Sequence, residues 1–149
     1  MRWMFAILVL GLAAHSFAQP PANEEGRPGF RAIDIYLDPQ GAPLAAYQLE
    51  FAGTNGVAKI VGIEGGETAA FHEPPFYDPK AMQQDRVIIA AFSTNPSTQL
   101  PSGKTRVATI HLQTSGTDAP GFMLRLETAA DVNGQKLQAT ASFEERKAK

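Results

Sequence analysis

Short stretches in which apolar and polar residues alternate make up most of the chain from residue 30 onward, with turn residues between them. In AIDIYLD, Ile33, Ile35 and Leu37 fall on one face, because successive side chains of a β-strand point to opposite faces. No segment has apolar residues at helical spacing over three turns, so we predict an all-β fold. The expected form is a two-sheet antiparallel β-sandwich of the jelly-roll or Greek-key kind, with seven to nine strands. The other predicted strands are LAAYQLEFA, VAKIVGI, RVIIAAFS, KTRVATIHLQT, FMLRLETA and KLQATASF.

Turn signals between these stretches predict how neighbouring strands connect. The first stretch is followed by DPQG, whose proline and glycine suit a type I turn and predict a hairpin of the first two strands. DVNG contains Asn133 and Gly134, the strongest hairpin signal in the chain, and predicts that the last two stretches pair. In DPKAMQQD, Asp78 as a cap and Pro79 at the first helical position predict one short helical turn near residues 79–84.

The first residues carry the features of a secretory signal peptide. Arg2 precedes an apolar run over residues 3–14, and a small-residue end suits cleavage near Ala18. The run of about 12 residues is shorter than the ~20 that a membrane-spanning helix needs, and we expect a secreted, periplasmic or extracellular protein without a transmembrane anchor. The predicted segments are a signal peptide (1–18), a flexible leader rich in Pro, Gly and Glu (19–29), the sandwich domain (30–143) and a charged tail that frays (144–149).

Composition narrows the classes of function. The chain has no cysteine, so the fold depends on its hydrophobic core, and neither a disulfide nor a lipid-anchored lipoprotein is expected. Without Arg2 the 13 basic residues become 12, against 15 acidic ones, which gives the processed chain a formal charge of about −3. With no basic cluster along the sequence, nucleic acid is not an expected partner.

The order of three segments, AIDIYLDPQGAPLAAYQLEF, RVIIAAFS and GKTRVATIHLQT, resembles the cohesin-like sandwiches of secreted bacterial proteins. That superfamily also contains carbohydrate-binding modules. The resemblance covers roughly residues 33–143, although the interval after the third strand is shorter than in cohesins proper and no dockerin-type calcium repeat follows. The matching positions are Tyr47, Leu49 and Phe51 on the second strand, then Ala90, Ala91 and Phe92, then Gly103, Ala108, Ile110 and Leu112.

The resemblance implies a non-catalytic domain that binds another extracellular or envelope protein. Two alternatives stay open: a carbohydrate-binding module for soluble polysaccharide, and a structural subunit that self-associates. The only tryptophan, Trp3, lies in the predicted signal peptide, which disfavours a flat site for crystalline polysaccharide but leaves a single glycan chain open.

Catalytic and metal-binding patterns give no support for an enzyme. The chain has neither a G-x-S-x-G elbow nor an HExxH motif, and the processed chain has two histidines, His72 and His111, without metal-ligand spacing. His111 alternates with apolar residues and is expected to point outward from its sheet. We predict no cofactor, while calcium held by scattered carboxylates stays open. A glycosidase pair, the last alternative, would have to come from Glu64, Glu67, Glu73 or Asp78.

The stretch FHEPPFYDPKAM, residues 71–82, is the predicted site of recognition. Its three prolines restrict the preceding residues to extended conformations, so the loop loses less entropy when it binds. Two interpretations are open: a binding loop, or a lid in which Phe71 and Phe76 close one end of the sandwich. Both hold if Phe71 points inward and Phe76 and Tyr77 lie at the rim. The candidate ligand contacts are His72, Glu73, Phe76, Tyr77, Asp78 and Tyr36, the last because it shares a strand face with Asp34.

Overall fold

The computed structural model describes residues 28–146, so the predicted signal peptide, nearly all of the leader and the last three residues lie outside the described part. Eight strands lie within it, as predicted. Their bounds are β1 Gly29–Asp38, β2 Ala46–Gly53, β3 Ala58–Gly65, β4 Phe76–Tyr77, β5 Arg86–Phe92, β6 Thr105–Thr114, β7 Phe122–Ala130 and β8 Thr140–Glu145.

The strands form two four-stranded antiparallel sheets, which confirms the predicted sandwich. One sheet, called sheet A, has the order β3-β6-β1-β8, and the other, sheet B, has the order β4-β5-β2-β7. Two short 3-10 turns interrupt the loops, at Pro79–Ala81 and Ser97–Gln99. The first confirms the predicted helical turn, and the carboxylate of Asp78 caps it by accepting a hydrogen bond from the Lys80 amide at 2.9 Å.

The core lies between the inward faces of the two sheets, where the predicted alternation places it. Ile33, Ile35 and Leu37 of β1 are fully buried and face Leu49 and Phe51 of β2 across the sandwich. Since sheets pack about 10 Å apart, these two sets of side chains meet in the middle and fill the space between the sheets.

Tyr47, on the same face of β2 as the buried Leu49 and Phe51, connects the two sheets. It is 2% exposed, and its hydroxyl donates a hydrogen bond to the carbonyl of Val107 in sheet A at 3.2 Å. Burial raises the pKa of the Tyr47 hydroxyl well above its ordinary value, because the phenolate would lie in an apolar environment. The hydroxyl therefore stays protonated and keeps donating.

The predicted hairpin of the first two strands is wrong, because β1 and β2 lie in different sheets. A turn does form after β1, with Gln40 and Gly41 both at positive φ. However, the connector then bonds to another loop, since the Gly41 amide donates to the Ser102 carbonyl at 2.7 Å. Both edges of β1 are occupied by β6 and β8. A connector of seven residues, 39–45, gives the chain enough length to cross to the opposite sheet.

The predicted hairpin at Asn133 and Gly134 is right for the turn and wrong for the strands. Gly134 has a φ of +75°, and the Leu137 amide donates to the Ala129 carbonyl at 2.8 Å, as in a tight hairpin. Beyond Leu137 the chain leaves sheet B, and β8 pairs with β1 in sheet A. The alternation of apolar and polar residues in KLQATASF fits a strand beside β7 in sheet B and equally a strand beside β1 in sheet A.

The end of β8 is held to the outer face of sheet A, so fraying from residue 144 is wrong for residues 144–146. The Arg146 amide donates to the Ala32 carbonyl at 2.8 Å, and its guanidinium donates two hydrogen bonds to the Asp34 carboxylate, at 2.6 and 3.1 Å. The buried Thr109 hydroxyl donates to the same carboxylate at 2.7 Å. Burial alone would raise the pKa of Asp34, but the hydrogen bonds from Arg146 and Thr109 outweigh it and hold that pKa below its ordinary value.

We expect the substitution Asp34→Asn to destabilise the fold in a pH-dependent way. A carboxyl with a lowered folded-state pKa stabilises the protein above its unfolded pKa of about 3.9, and this contribution disappears as the pH falls through the folded-state pKa. The free energy of unfolding should drop by about 1–3 kcal/mol at pH 7, between the values for exposed and buried pairs, and by less near pH 3. Urea denaturation at both pH values measures this, with Glu73→Gln at an exposed carboxylate as the control. An equal loss at both pH values would contradict the role of the Asp34 charge.

Candidate binding surface

The loop that joins β3 to β4, residues 66–75, folds closely back onto both sheets. A side chain at Gly65 would place its Cβ 2.0 Å from the His72 carbonyl oxygen, and one at Gly66 would come within 2.3 Å of the Arg106 carbonyl oxygen. The Gly66 amide donates to the Phe71 carbonyl at 2.6 Å. Only glycine fits at these two positions, so the start of the loop is held tightly against its neighbours.

Phe71 points inward and closes one end of the core. It is 3% exposed, and its ring meets the Tyr47 ring edge to face, with centroids 5.4 Å apart and planes at 65°. This is a preferred geometry for two aromatic rings in a core. The lid interpretation is therefore right for Phe71.

Phe76 points outward, because β4 pairs with the edge of β5. Its register places Phe76 opposite Ala90 and Tyr77 opposite Ile89, and Ile89 is fully buried. The alternation of the strand then turns Tyr77 toward the core and Phe76 toward solvent. Phe76 is 69% exposed, so the lid interpretation is wrong for this residue.

Phe92 lies beside Phe76 on the same face. It follows Ala90 by two residues on β5, which puts it on the outward face, and it is 64% exposed. The two rings are nearly parallel, with an angle of 11° between planes and centroids 6.1 Å apart. We call this exposed pair, Phe76 and Phe92, the phenyl platform.

Two clefts adjoin the phenyl platform, one on each side of Phe92. The first encloses about 300 Å³ between the loop and the end of β5, and His72, Glu73, Ser93 and Asn95 contribute polar groups to its wall. The second encloses about 500 Å³ and reaches from Phe92 to the Asn133 and Gly134 turn; Ala46, Ala130 and the half-exposed Val132 line it. The two clefts together form a depression around the platform, and the walls of this depression carry both apolar and polar groups.

Of the polar residues at the first cleft, His72 and Glu73 are exposed, whereas Ser93 and Asn95 are half-buried. His72 Nε2 lies 2.9 Å from the Glu73 carboxylate, and both side chains are mostly exposed. The His72 Nδ1 atom lies 2.9 Å from the Ala69 carbonyl oxygen. On the opposite wall the Ser93 hydroxyl accepts a hydrogen bond from the Asn95 amide at 3.2 Å. These groups can form hydrogen bonds with a ligand that lies on the platform.

The structure brings three of the six predicted contact residues together and separates the other three. His72, Glu73 and Phe76 line the first cleft. Tyr77 packs toward the core, and the Asp78 carboxylate is used to cap the 3-10 turn. Tyr36 lies in sheet A, the sheet opposite the phenyl platform, with the Lys104 ammonium 4.6 Å from its ring centroid.

Sequence reasoning did not select Phe92 or Val132 as contact residues. In RVIIAAF the outward set is Arg86, Ile88, Ala90 and Phe92, but the neighbouring Val87 and Ile89 are apolar as well. The stretch therefore does not reveal which set faces solvent. Val132 belongs to the predicted turn, and only its place beside β2 and β7 brings it to the second cleft.

The carboxylates considered for a glycosidase pair are mostly engaged elsewhere. Glu67 accepts hydrogen bonds from the Arg106 amide at 2.8 Å and from the Thr105 hydroxyl at 3.3 Å. Glu64 lies 3.1 Å from Nε2 of His111, which is half-buried on the outer face of sheet A. Together with the capping role of Asp78, this leaves Glu73 as the carboxylate at the first cleft.

A second cluster of charged side chains lies on the outer face of sheet B, toward the Arg86 end of β5. The buried Glu50 carboxylate accepts hydrogen bonds from Arg86 and from Arg125, the latter at 2.7 Å, and these bonds hold the pKa of Glu50 below its ordinary value. Arg125 also pairs with Glu127 at 2.6 Å. Because these charges compensate one another, the cluster does not compete with the phenyl platform as a site.

The described part of the chain shows neither a cluster of metal ligands nor a membrane-spanning helix. Residues 28–146 bring together no group of three or more His, Asp or Glu side chains that could hold a metal ion. Within the same residues, no helix has the length and apolar character required to cross a membrane.

No protein-family model, curated protein or solved structure matches the chain. The resemblance to cohesin-like domains therefore holds in its coarser form, a two-sheet antiparallel sandwich of eight strands.

Substitutions of three phenylalanines should distinguish the ring that closes the core from the rings of the platform by their effect on stability. Phe71→Ala removes a buried ring and should lower the free energy of unfolding by about 3–5 kcal/mol. Phe76→Thr and Phe92→Thr change exposed rings and keep a residue suited to strands, so each should cost less than about 1 kcal/mol. Chemical denaturation of the three variants tests this. Comparable losses for Phe71 and Phe76 would mean that Phe76 belongs to the core.

Proposed function

We propose that this chain is a secreted, non-catalytic, cohesin-like binding domain that recognises another extracellular or envelope protein through the phenyl platform. The observation that carries the proposal is the parallel, solvent-exposed pair Phe76 and Phe92. A phenylalanine ring contributes 150–250 Å², so two rings that are about two-thirds exposed present roughly 200–330 Å² of apolar surface at one place. A patch of this size does not exceed the largest apolar patch of a typical monomeric protein, which is often functional, and here polar groups surround it.

The platform is suited to binding because it is held rigid before any ligand arrives. Phe76 and Phe92 stand on two hydrogen-bonded strands, β4 and β5. Pro74 and Pro75 restrict the backbone just before β4, and the buried Phe71 anchors the loop on its other side. Rings that are already placed lose little conformational entropy on binding, which increases affinity.

A protein partner suits the surface better than a glycan. Sugar-binding faces commonly use tyrosine or tryptophan, whose rings carry a polar edge, whereas phenylalanine offers only apolar surface. A protein can cover the phenyl rings with apolar side chains while its backbone bonds to Ser93, Asn95 and Glu73 at the rim. A single chain of soluble polysaccharide is the second candidate, because two parallel rings beside polar groups also suit sugar rings.

Catalysis is not part of the proposal. A retaining or inverting glycosidase needs two carboxyl groups that flank the substrate, and Glu73 is the carboxylate of the first cleft. Glu67 and Asp78 make structural hydrogen bonds that would have to be broken, and Glu64 lies beside His111 on the outer face of sheet A.

The proposal predicts that partner binding depends on both platform rings. The processed protein is immobilised and exposed to envelope and culture-supernatant extracts, beside a panel of polysaccharides. A protein retained by the wild type should bind about tenfold less, or weaker still, to the Phe76→Thr, Phe92→Thr double variant, since central aromatic residues dominate interface energies. Phe30→Thr is the matched control, because Phe30 is also an exposed phenylalanine, at 73%, but lies on sheet A.

Three outcomes would count against the proposal. Equal retention by the double variant would place the partner elsewhere on the surface. Retention of polysaccharide alone, lost in the double variant, would assign the platform to a glycan. Loss of binding in the Phe30→Thr control as well would point to a general loss of exposed apolar surface.

A further inference from the structure

We infer that the phenyl platform and the Glu73 carboxylate together bind an arginine side chain of the partner protein, with its guanidinium stacked on the rings and hydrogen-bonded to the carboxylate. This inference rests on the proposed function, since it names the residue by which the partner is recognised at the same surface. Phe76, Phe92 and Glu73 all line the first cleft. The cleft therefore combines two groups that attract a cation, an aromatic ring and a carboxylate.

The two rings of the platform suit a planar cation. The planes of Phe76 and Phe92 lie at 11° to each other, so the rings turn their faces in the same direction, and both side chains are about two-thirds exposed. A cation above a ring face is attracted by the negative charge of the π-system. The guanidinium of arginine is planar and weakly hydrated, so it stacks on a ring more readily than the compact, strongly hydrated ammonium of lysine.

A partner that covers the platform must also compensate the charge of Glu73. The side chain of Glu73 is 80% exposed, and its carboxylate lies 2.9 Å from Nε2 of His72, which carries a charge only when it is protonated. Apolar groups placed over the first cleft would remove water from this carboxylate without replacing its hydrogen bonds, which weakens binding. An arginine of the partner removes this penalty, because it can donate two parallel hydrogen bonds to one carboxylate.

Within the described residues, the chain does not supply this cation itself. No lysine or arginine among residues 28–146 lines either cleft. Two arginines of the same outer face, Arg86 and Arg125, both donate to the Glu50 carboxylate. The exposed carboxylate of Glu73 is therefore accessible to a cation from another molecule.

The size and the opposite wall of the first cleft suit a single side chain. At about 300 Å³ the cleft is at the lower limit of the ~300–1,000 Å³ that is typical of ligand pockets. A guanidinium has more N–H donors than one carboxylate can accept from. On the opposite wall, the Ser93 hydroxyl and the side-chain carbonyl of Asn95 can accept hydrogen bonds from the others. The cleft thus matches an arginine in volume, charge and hydrogen bonding.

Titration of the isotope-labelled protein with N-acetyl-arginine amide, followed by NMR, tests the inference. The signals of Phe76, Phe92 and Glu73 should shift, with an affinity in roughly the millimolar range for a ligand of this size. N-acetyl-citrulline amide has nearly the same shape without the charge. It should bind at least about threefold more weakly, because it loses both the attraction to the rings and the ion pair. N-acetyl-lysine amide should also bind more weakly than the arginine compound.

Variants connect this preference to the named groups. Glu73→Gln keeps the size of the side chain and removes its charge, so the preference for arginine over citrulline should disappear. The Phe76→Thr, Phe92→Thr variant should bind the arginine compound at least about tenfold more weakly. Asp118→Asn is the matched control and should bind as the wild type does, because Asp118 is an exposed carboxylate in the β6–β7 loop, at the end of sheet B remote from Phe92.

Four results would overturn the inference: no shifts at the platform, equal binding of arginine and citrulline, equal binding of arginine and lysine, or an unchanged preference in Glu73→Gln. The protein retained from the extracts distinguishes this failure from that of the proposed function. Glu73→Gln should bind that protein about three- to fivefold more weakly than the wild type does. If Glu73→Gln retains it fully while the platform variant loses it, the proposed function stands without the inference. If both variants retain it fully, both fail.

Discussion

The edge-to-face contact between Phe71 and Tyr47 is the interaction on which the candidate site depends. Tyr47 also bonds through its hydroxyl to sheet A, so the loop, sheet B and sheet A are connected through one side chain. The close approach at Gly65 and Gly66 fixes the start of the same loop. With the loop held at these points, its remaining length brings Phe76 to the edge of β5, beside Phe92. The burial of the Phe71 ring therefore holds the loop in the position that leaves the Phe76 ring exposed.

Three of the four sheet edges in the described residues, those formed by β3, β4 and β7, have features that hinder pairing with an added strand. β4 has only two residues, and β7 carries a bulge between the positions that pair with Gln48 and Leu49, next to the charged pair of Arg125 and Glu127. β3 is also bulged, between Ile60 and Gly62. Short strands, bulges and charges are the features by which proteins prevent unwanted edge pairing. In contrast, the phenyl platform lies on the solvent-exposed face of sheet B. Features that hinder pairing at a strand edge do not hinder contact with a face.

The sequence predicted the sandwich and its inward residues because alternation with a period of two directly reports which face is buried. It could not predict which strands pair, since the same apolar face suits a neighbour in the same sheet and a partner across the core. For this reason the strand pairing in both hairpin predictions is wrong, although the turn at Asn133 and Gly134 is right. Within the loop, composition left Phe71 and Phe76 equivalent, and only the pairing of Phe76 with Ala90 separates them. Phe92 was missed because its place beside Phe76 depends on the register between β4 and β5. Tyr36 was selected as a contact residue from its strand face alone, and the structure places it in the opposite sheet.

The central claim is that the two platform rings are held together before any partner binds. Nuclear Overhauser effects between aromatic ring protons in the free protein measure this most directly. With ring centroids 6.1 Å apart at the platform and 5.4 Å apart in the core, we expect cross-peaks both between Phe76 and Phe92 and between Phe71 and Tyr47. Cross-peaks for the core pair alone would show that the loop closes the sandwich without presenting a preformed platform, and would contradict the account.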